Sequence, residues 1–295
     1  MPFAHIALAL SIVLIWGLNF IFVRLSLDEI SPLLLCGLRF FFASIPAIFF
    51  IKRPAAPFLI VASYGLVMFA LQFALLFKGM SVGMTPGMAS ILIQVQIFFS
   101  MFFAAIFLGE KITTHQLIGA LVSSIGIVLV GFHIDRNLSV LGFVFVLAAA
   151  GTWGVGNLIT KKLSHVSMIS MVVWGSFVAA FPIILLSLWV EGPEAIVESY
   201  QRVSWVGGLS LAFTVCFSTW IGYAGWGWLI SRYPVGMIVP FTLLVPIVGM
   251  LGSVFVLDEP LPLWKIISGV LVLSGLYIHL FCARFFKVKT RLYAP

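Results

Sequence analysis

Long apolar runs alternate with short polar connections along the whole chain. Ten runs are legible, over residues 4–24, 32–51, 57–77, 85–108, 115–133, 140–160, 167–190, 205–230, 235–257 and 264–283. Most hold about 20 residues, the length an α-helix rising ~1.5 Å per residue needs to cross a hydrocarbon core of about 30 Å. The runs are continuous, which argues against the alternating period of a membrane β-barrel. The pattern predicts an all-α integral membrane protein with ten transmembrane helices. The first run lacks a basic leader and a small-residue cleavage site, so it reads as a retained helix and not as a signal peptide.

Composition agrees. The chain is 62% hydrophobic and 8% charged, against roughly 45–50% and about 25% for soluble domains. A soluble chain of this length would need far more polar surface. The net charge of +7 is read as a topology signal and not as a nucleic-acid footprint. With the N-terminus in the cytoplasm, cytoplasmic segments hold ten basic residues: Lys52, Arg53, Lys111, Lys161, Lys162, Arg232, Arg284, Lys287, Lys289 and Arg291. The other side holds five, Arg24, Lys78, Arg136, Arg202 and Lys265, together with eight of the nine carboxylates. This places both termini in the cytoplasm of a multi-pass membrane protein. Cys36, Cys216 and Cys282 all lie in apolar runs and read as buried small side chains, with no pair that suggests a metal site or disulfide.

The chain also repeats itself. Trp16–Arg24 (WGLNFIFVR) is echoed by Trp153–Lys162 (WGVGNLITKK), each with Trp-Gly, then Asn, then a basic residue eight positions after the Trp. Leu108-Gly109-Glu110-Lys111 precedes the fifth run and Leu257-Asp258-Glu259-Pro260 the tenth, and a glycine follows each Glu after sixteen residues, Gly126 and Gly275. Gly87-Met88 and Gly236-Met237 share the same offset of 149, whereas the front parts match at 137, and the longer loop Glu191–Ser204 absorbs the difference. The repeat divides the chain into residues 1–135 and 136–295, the second unit carrying a short basic cytoplasmic tail. Five spans per unit is an odd number, so the second copy enters from the opposite face. Two inverted five-helix repeats place a binding site between them near the midplane and make transport the default function.

The five-plus-five plan, the WGLNF element with its echo, Gly37-Leu38-Arg39-Phe40 and the Leu-Gly-Glu and Leu-Asp-Glu corners together resemble the EamA family of the drug/metabolite transporter superfamily. Phe73-Ala74, Gln94-Val95-Gln96 and Leu244-Val245-Pro246-Ile247-Val248-Gly249 are similar to the bacterial exporters of cysteine and O-acetylserine within it. The resemblance implies a central cavity between spans 1, 3 and 4 and their partners 6, 8 and 9. It implies export of small polar metabolites by rocking of the two halves. One departure stands out: Asn157 is four residues after its Trp and Asn19 three, a rotation of about 100° on a helix.

Candidate substrate contacts are Trp16, Asn19, Arg39, Gln72, Gln94, Trp153 and Asn157. Arg39 is eight residues into the second span, where a charge is costly unless it faces protein or water. It is either the counter-ion of a substrate carboxylate or a structural cation capping carbonyls. The neutral amides must find hydrogen bonds, with neighbouring helices or with solute and water. Gln94 and Gln96 lie about 200° apart on an ideal helix, and the family position favours Gln94. Trp16 and Trp153 stand out from the other aromatics because they repeat. Pro46, Pro182 and Pro246 are candidate hinges, or static kinks that fit packing.

Absences shape the mechanism. No carboxylate lies within any apolar run, and proton or sodium relays use such groups; the expectation is a facilitator or exchanger. No phosphate-binding GxxxxGK run exists for direct ATP drive. Gly79-Met80-Ser81-Val82-Gly83 fits GxSxG but falls between two spans, without the strand–turn–helix setting of a hydrolase. No catalytic residue, cofactor or metal is expected, and the chain is not read as an enzyme. The expected partners are a small-molecule substrate and the lipid bilayer, with no nucleic acid, and a homodimer is allowed. The alternatives are a permease for drugs, nucleobases or other amino acids, and a channel, for which the sequence lacks a polar or charged ring.

Overall fold

A computed structural model of the chain describes residues 1–133, 139–163, 166–233 and 239–281. Gly236-Met237, Arg136, Cys282, Arg284, Lys287, Lys289, Arg291 and the boundary at 135/136 lie outside the described residues. Among those described there are helices and no strands. They are α1 (Phe3–Leu27), α2 (Pro32–Ser44), α3 (Phe58–Ser81), α4 (Pro86–Leu108), α5 (Thr114–Gly131), α6 (Val140–Lys162), α7 (Met168–Val190), α8 (Gly192–Arg202), α9 (residues 205–232), α10 (residues 239–257) and α11 (Leu263–Phe281). Eight stretches are long and apolar enough to cross a membrane, one of them Pro32–Phe49, which takes α2 together with the short turn after it, and two shorter apolar helices, Phe241–Leu257 and Leu263–His279, accompany them.

The helices form where the apolar runs predict, with two differences. The second run does not stay helical to residue 51. Helix α2 stops at Ser44, Ile45 is extended, and a short 3₁₀ turn, Ala47–Phe49, follows Pro46. The residue before a proline is biased away from helical geometry, so the chain leaves the helix there. The connection Glu191–Ser204 is not a plain loop but contains α8, which begins with Gly-Pro at its first positions. It is the one polar helix of the set, so an apolar-run reading passes over it.

Packing is dominated by antiparallel pairs. Helix α5 crosses α11 with Gly119 against Gly275 and Gly126 against Ser268. Ser123 donates to the Val272 carbonyl at 3.0 Å and Ser268 to the Gly126 carbonyl at 2.9 Å. A Cβ on Gly119 would sit 2.5 Å from the Gly275 carbonyl oxygen, so the two backbones meet only because both side chains are absent. In the same sense α2 runs against α7, α3 against α6 and α1 against α9, whereas α4 lies parallel to α6 and α1 parallel to α10. The contacts repeat: Gly17 packs on Val248, and Gly154 packs on Phe99, positions related by the offsets of 137 and 149.

Departures from regular helix repeat as well. Both α3 and α9 contain a π-helical segment, Gly65–Leu71 and Thr214–Gly222. Both α4 and α10 contain a 3₁₀ segment, Ile93–Val95 and Val239–Leu244. Helices α4 and α10 end on left-handed residues at Gly109 and Asp258. Each pair is separated by, or overlaps at, the offset of 149.

Substituting Gly275 by Leu should force α5 and α11 apart. Overpacking of this kind costs about 1–3 kcal/mol. The expected result is a lower unfolding temperature and less folded protein in detergent, with Gly208→Leu, at a position whose Cβ would meet nothing, as the neutral control.

Candidate transport site

The π segment of α9 is the hub of the site. Widening a helix there frees backbone groups that neighbours can use. The Ser218 carbonyl accepts the indole N–H of Trp16 at 3.1 Å. Thr219 donates its hydroxyl to the Thr214 carbonyl, five residues back, at 3.0 Å. That leaves the Thr219 oxygen free to accept Arg39 Nε at 3.3 Å, while Arg39 Nη2 reaches Ser218 Oγ at 3.5 Å. Thus the first, second and eighth apolar runs meet at Ser218 and Thr219.

Arg39 is 1% exposed. Its guanidinium lies 4.2 Å from the centroid of Phe73, with Phe40 and Phe77 at 5.5 and 6.0 Å. Stacking on ring faces suits the planar, weakly hydrated guanidinium. Among the described residues no carboxylate pairs with it, and Nη1 has no hydrogen-bond partner. A buried cation in this position is costly unless something completes its fork.

The other predicted residues divide into two kinds. Asn157 is structural glue: its amide donates to Gln96 Oε1 at 2.7 Å and to Ser100 Oγ at 2.8 Å, tying α6 to α4. Gln94 donates to the Thr242 carbonyl at 3.0 Å, joining the 3₁₀ segments of α4 and α10. Gln94 and Gln96 thus serve different neighbours, α10 and α6, as their separation of about 200° on a helix requires. Asn19 and Gln72 are instead buried with open valences, the Asn19 Oδ1 acceptor and the Gln72 Nε2 donor. Trp153 packs half-buried on the core.

Trp16 lies 5.7 and 5.3 Å from the rings of Tyr223 and Trp226, and Tyr223 lies 6.0 Å from Phe69. Gly222 passes directly beneath the Trp16 indole, where any Cβ would collide with it. These rings fill the centre implied by the first and eighth spans. A cavity of about 330 Å³ opens beside them, between the end of α2, the start of α7 and α9, lined by Pro46, Val172, Val173, Thr219, Trp220 and Tyr223 among others. Of the candidate hinges, Pro46 borders this cavity beyond the end of α2, Pro182 lies inside α7, and Pro246 opens the α-helical part of α10.

The EamA-like transporter family matches this chain twice, over residues 4–132 and 140–281. The chain belongs to the EamA-like transporter family. Within and around that family it is 36% identical over 286 residues to a "Probable amino-acid metabolite efflux pump" of Escherichia coli (strain K12), covering 95% of this chain and 96% of that one. It is 38% identical over 280 residues to the protein of the same name from Salmonella typhimurium, covering 93% and 94%. A solved crystal structure shares the fold with a TM-score of 0.69 at 16% identity, over 97% of this chain and 99% of that one. The EamA-like chain is therefore a multi-pass membrane transporter.

The reading from residues alone missed Ser218, Thr219 and Tyr223. A signal was present in Thr214, Ser218 and Thr219, spaced to share one face of the eighth run. Two substitutions separate glue from open valence. Asn157→Leu should cost about 1–2 kcal/mol, the range for interhelical amide bonds, read as a lower melting temperature. Gln72→Leu should leave the melting temperature unchanged or raise it, because it removes an unpaired buried donor, while lowering transport.

Proposed function

We propose that this chain exports small zwitterionic metabolites of the amino-acid type, cysteine and O-acetylserine being the leading candidates. It would do so by alternating access of two inverted five-helix halves in a ten-span bundle, with both termini in the cytoplasm of a bacterial inner membrane. The observation that carries the reading is Arg39, buried, stacked on Phe73 and short of an acidic partner. Its open Nη1 is a donor for a substrate carboxylate, and a planar fork binds carboxylate in two-pronged geometry. Gln72 Nε2 supplies a second unpaired donor, and Asn19 Oδ1 an unpaired acceptor for an ammonium group. The names of the two relatives support the same class of cargo.

Support for the halves comes from the antiparallel crossings and the repeated π, 3₁₀ and left-handed positions. Among the described residues the apolar spans hold no carboxylate, which favours movement down a substrate gradient over a proton relay. A second reading, a permease for larger apolar solutes, has its own support in the almost wholly apolar lining of the 330 Å³ cavity.

Uptake of labelled cysteine and O-acetylserine into inside-out vesicles tests the first reading. Arg39→Lys keeps the charge and loses the fork, and should cut the rate about tenfold or more, the equivalent of ~1.4 kcal/mol of binding, at undiminished protein abundance. Unchanged flux in Arg39→Lys removes Arg39 from the site. Failure of either amino acid to move, with larger apolar solutes moving, transfers the assignment to the second reading.

A further inference from the structure

Helix α2 has 13 residues and its antiparallel neighbour α7 has 23. They are level at one end. There Glu191, just after α7, accepts the backbone N–H of Leu33 and Leu34 at 2.9 and 3.2 Å, and Ser199 on α8 accepts the Ser31 N–H at 3.2 Å. Further along, Gly37 meets Ile184 and Phe41 meets Phe181. At the other end roughly 15 Å of α7 has no α2 beside it, at ~1.5 Å per residue. The chain leaves the helix at Ile45–Pro46 and runs on beside α7, where the Trp174 indole donates to the Ile51 carbonyl at 3.1 Å. This segment does not fill the gap. What remains is the cavity of about 330 Å³ between it, the start of α7 and α9.

The cavity lies at hydrocarbon depth. Counted from the start of α2, Pro46 is about 20 Å into a core of about 30 Å. Phe50 and Ile169, which line the cavity, are also exposed, so it opens outward there. The polar groups of its wall are largely spoken for. The Trp220 indole donates to the Ala43 carbonyl at 2.8 Å, and the Thr219 hydroxyl is engaged by Thr214 and Arg39. Water needs two to four polar partners to stay in such a space, and a polar cargo needs as many. Directly after Ile51 come Lys52 and Arg53, both exposed. Arg53 lies 5.8 Å from the ring of Phe58, itself exposed. Among the described residues neither cation pairs with a carboxylate.

From this we infer that the cavity is a lipid site: an anionic phospholipid of the adjoining leaflet lays an acyl chain between α2, α7 and α9 and sets its phosphate on Lys52 and Arg53. Basic residues at the end of a span attract anionic headgroups. The apolar wall at hydrocarbon depth and the cations one residue beyond it match the two parts of one molecule. The chain would abut Thr219 and Trp220, which hold Arg39 and the last turn of α2. The lipid thus braces the side of the candidate site that α2 leaves open. With both termini inside, the leaflet is the cytoplasmic one, and that assignment alone rests on the proposed function.

The test titrates the full chain in detergent with phosphatidylglycerol, with phosphatidylcholine of the same acyl chains and with glycerol 3-phosphate, and counts bound lipid by native mass spectrometry. One phosphatidylglycerol should bind about tenfold more tightly than phosphatidylcholine, the order that two basic residues give at an anionic surface. Glycerol 3-phosphate should not displace it. Lys52→Gln with Arg53→Gln should bring the two lipids to equal affinity and leave the melting temperature of lipid-free protein unchanged. Ala224→Phe, on the cavity wall, should weaken both lipids about tenfold by taking up the space. If that variant does not fold, phosphatidylglycerol with shortened acyl chains makes the same measurement and should bind less tightly than the parent lipid. Equal affinity for the two lipids in the parent, or a preference that survives the Gln pair, overturns the site and returns the cavity to the larger apolar solutes of the second reading. Displacement by glycerol 3-phosphate, or affinity indifferent to Ala224→Phe or to chain length, leaves a headgroup contact only and overturns the acyl site. Amino-acid flux enters none of these readouts, so a failure of the export reading shows itself separately.

Discussion

Lipid offers a backbone no hydrogen bonds, so every carbonyl and N–H at membrane depth must be satisfied by protein. Regular α-helix does this within one segment, and the chain keeps to it except at a few places. Those places are where the candidate site lies. The π segment of α9 holds the carbonyl that receives Trp16 and the hydroxyl that receives Arg39. The 3₁₀ segment of α10 offers the Thr242 carbonyl to Gln94. Irregular backbone is tolerated because polar side chains from other helices arrive to complete it, and their arrival fixes how those helices sit.

The same constraint explains how much could be read from the residues. Span positions were legible because length and oiliness are dictated by the bilayer, and the runs coincide with helices over most of their length. The repeat was legible because Trp-Gly pairs and acidic corners recur at fixed spacing. Arg39 was legible as an anomaly, a charge where charge is costly. What escaped were features that depend on a partner helix. Nothing in a single run says that α9 widens at Thr214–Gly222, because that geometry is selected by what packs against it. Nor could spacing alone allot Gln94 to α10 and Gln96 to α6. Helix α8 escaped for the opposite reason: it is polar and short, and carries no trace of the apolar rhythm used to find the others.

The small residues work with these polar ties. Gly119, Gly126 and Gly275 let α5 and α11 approach until backbone touches backbone, and Ser123 and Ser268 convert that approach into specific bonds. Apolar area alone gives no reason for one helix to choose another when the solvent is itself hydrocarbon. Close approach plus one or two hydroxyl-to-carbonyl bonds does, and the pairing of α6 with α4 through Asn157 follows the same logic.

Helix α8 carries a consequence for ancestry. A duplicated unit can begin as one short polypeptide that assembles head-to-tail with an identical sibling. In this chain that road back carries a penalty. The start of α2 is completed by Glu191 and Ser199, and the first half holds Pro54 where Glu191 would repeat and nothing where α8 would. Two first halves brought together would leave the beginning of α2 without its acid on both sides, a loss of about 0.5–2 kcal/mol at each cap.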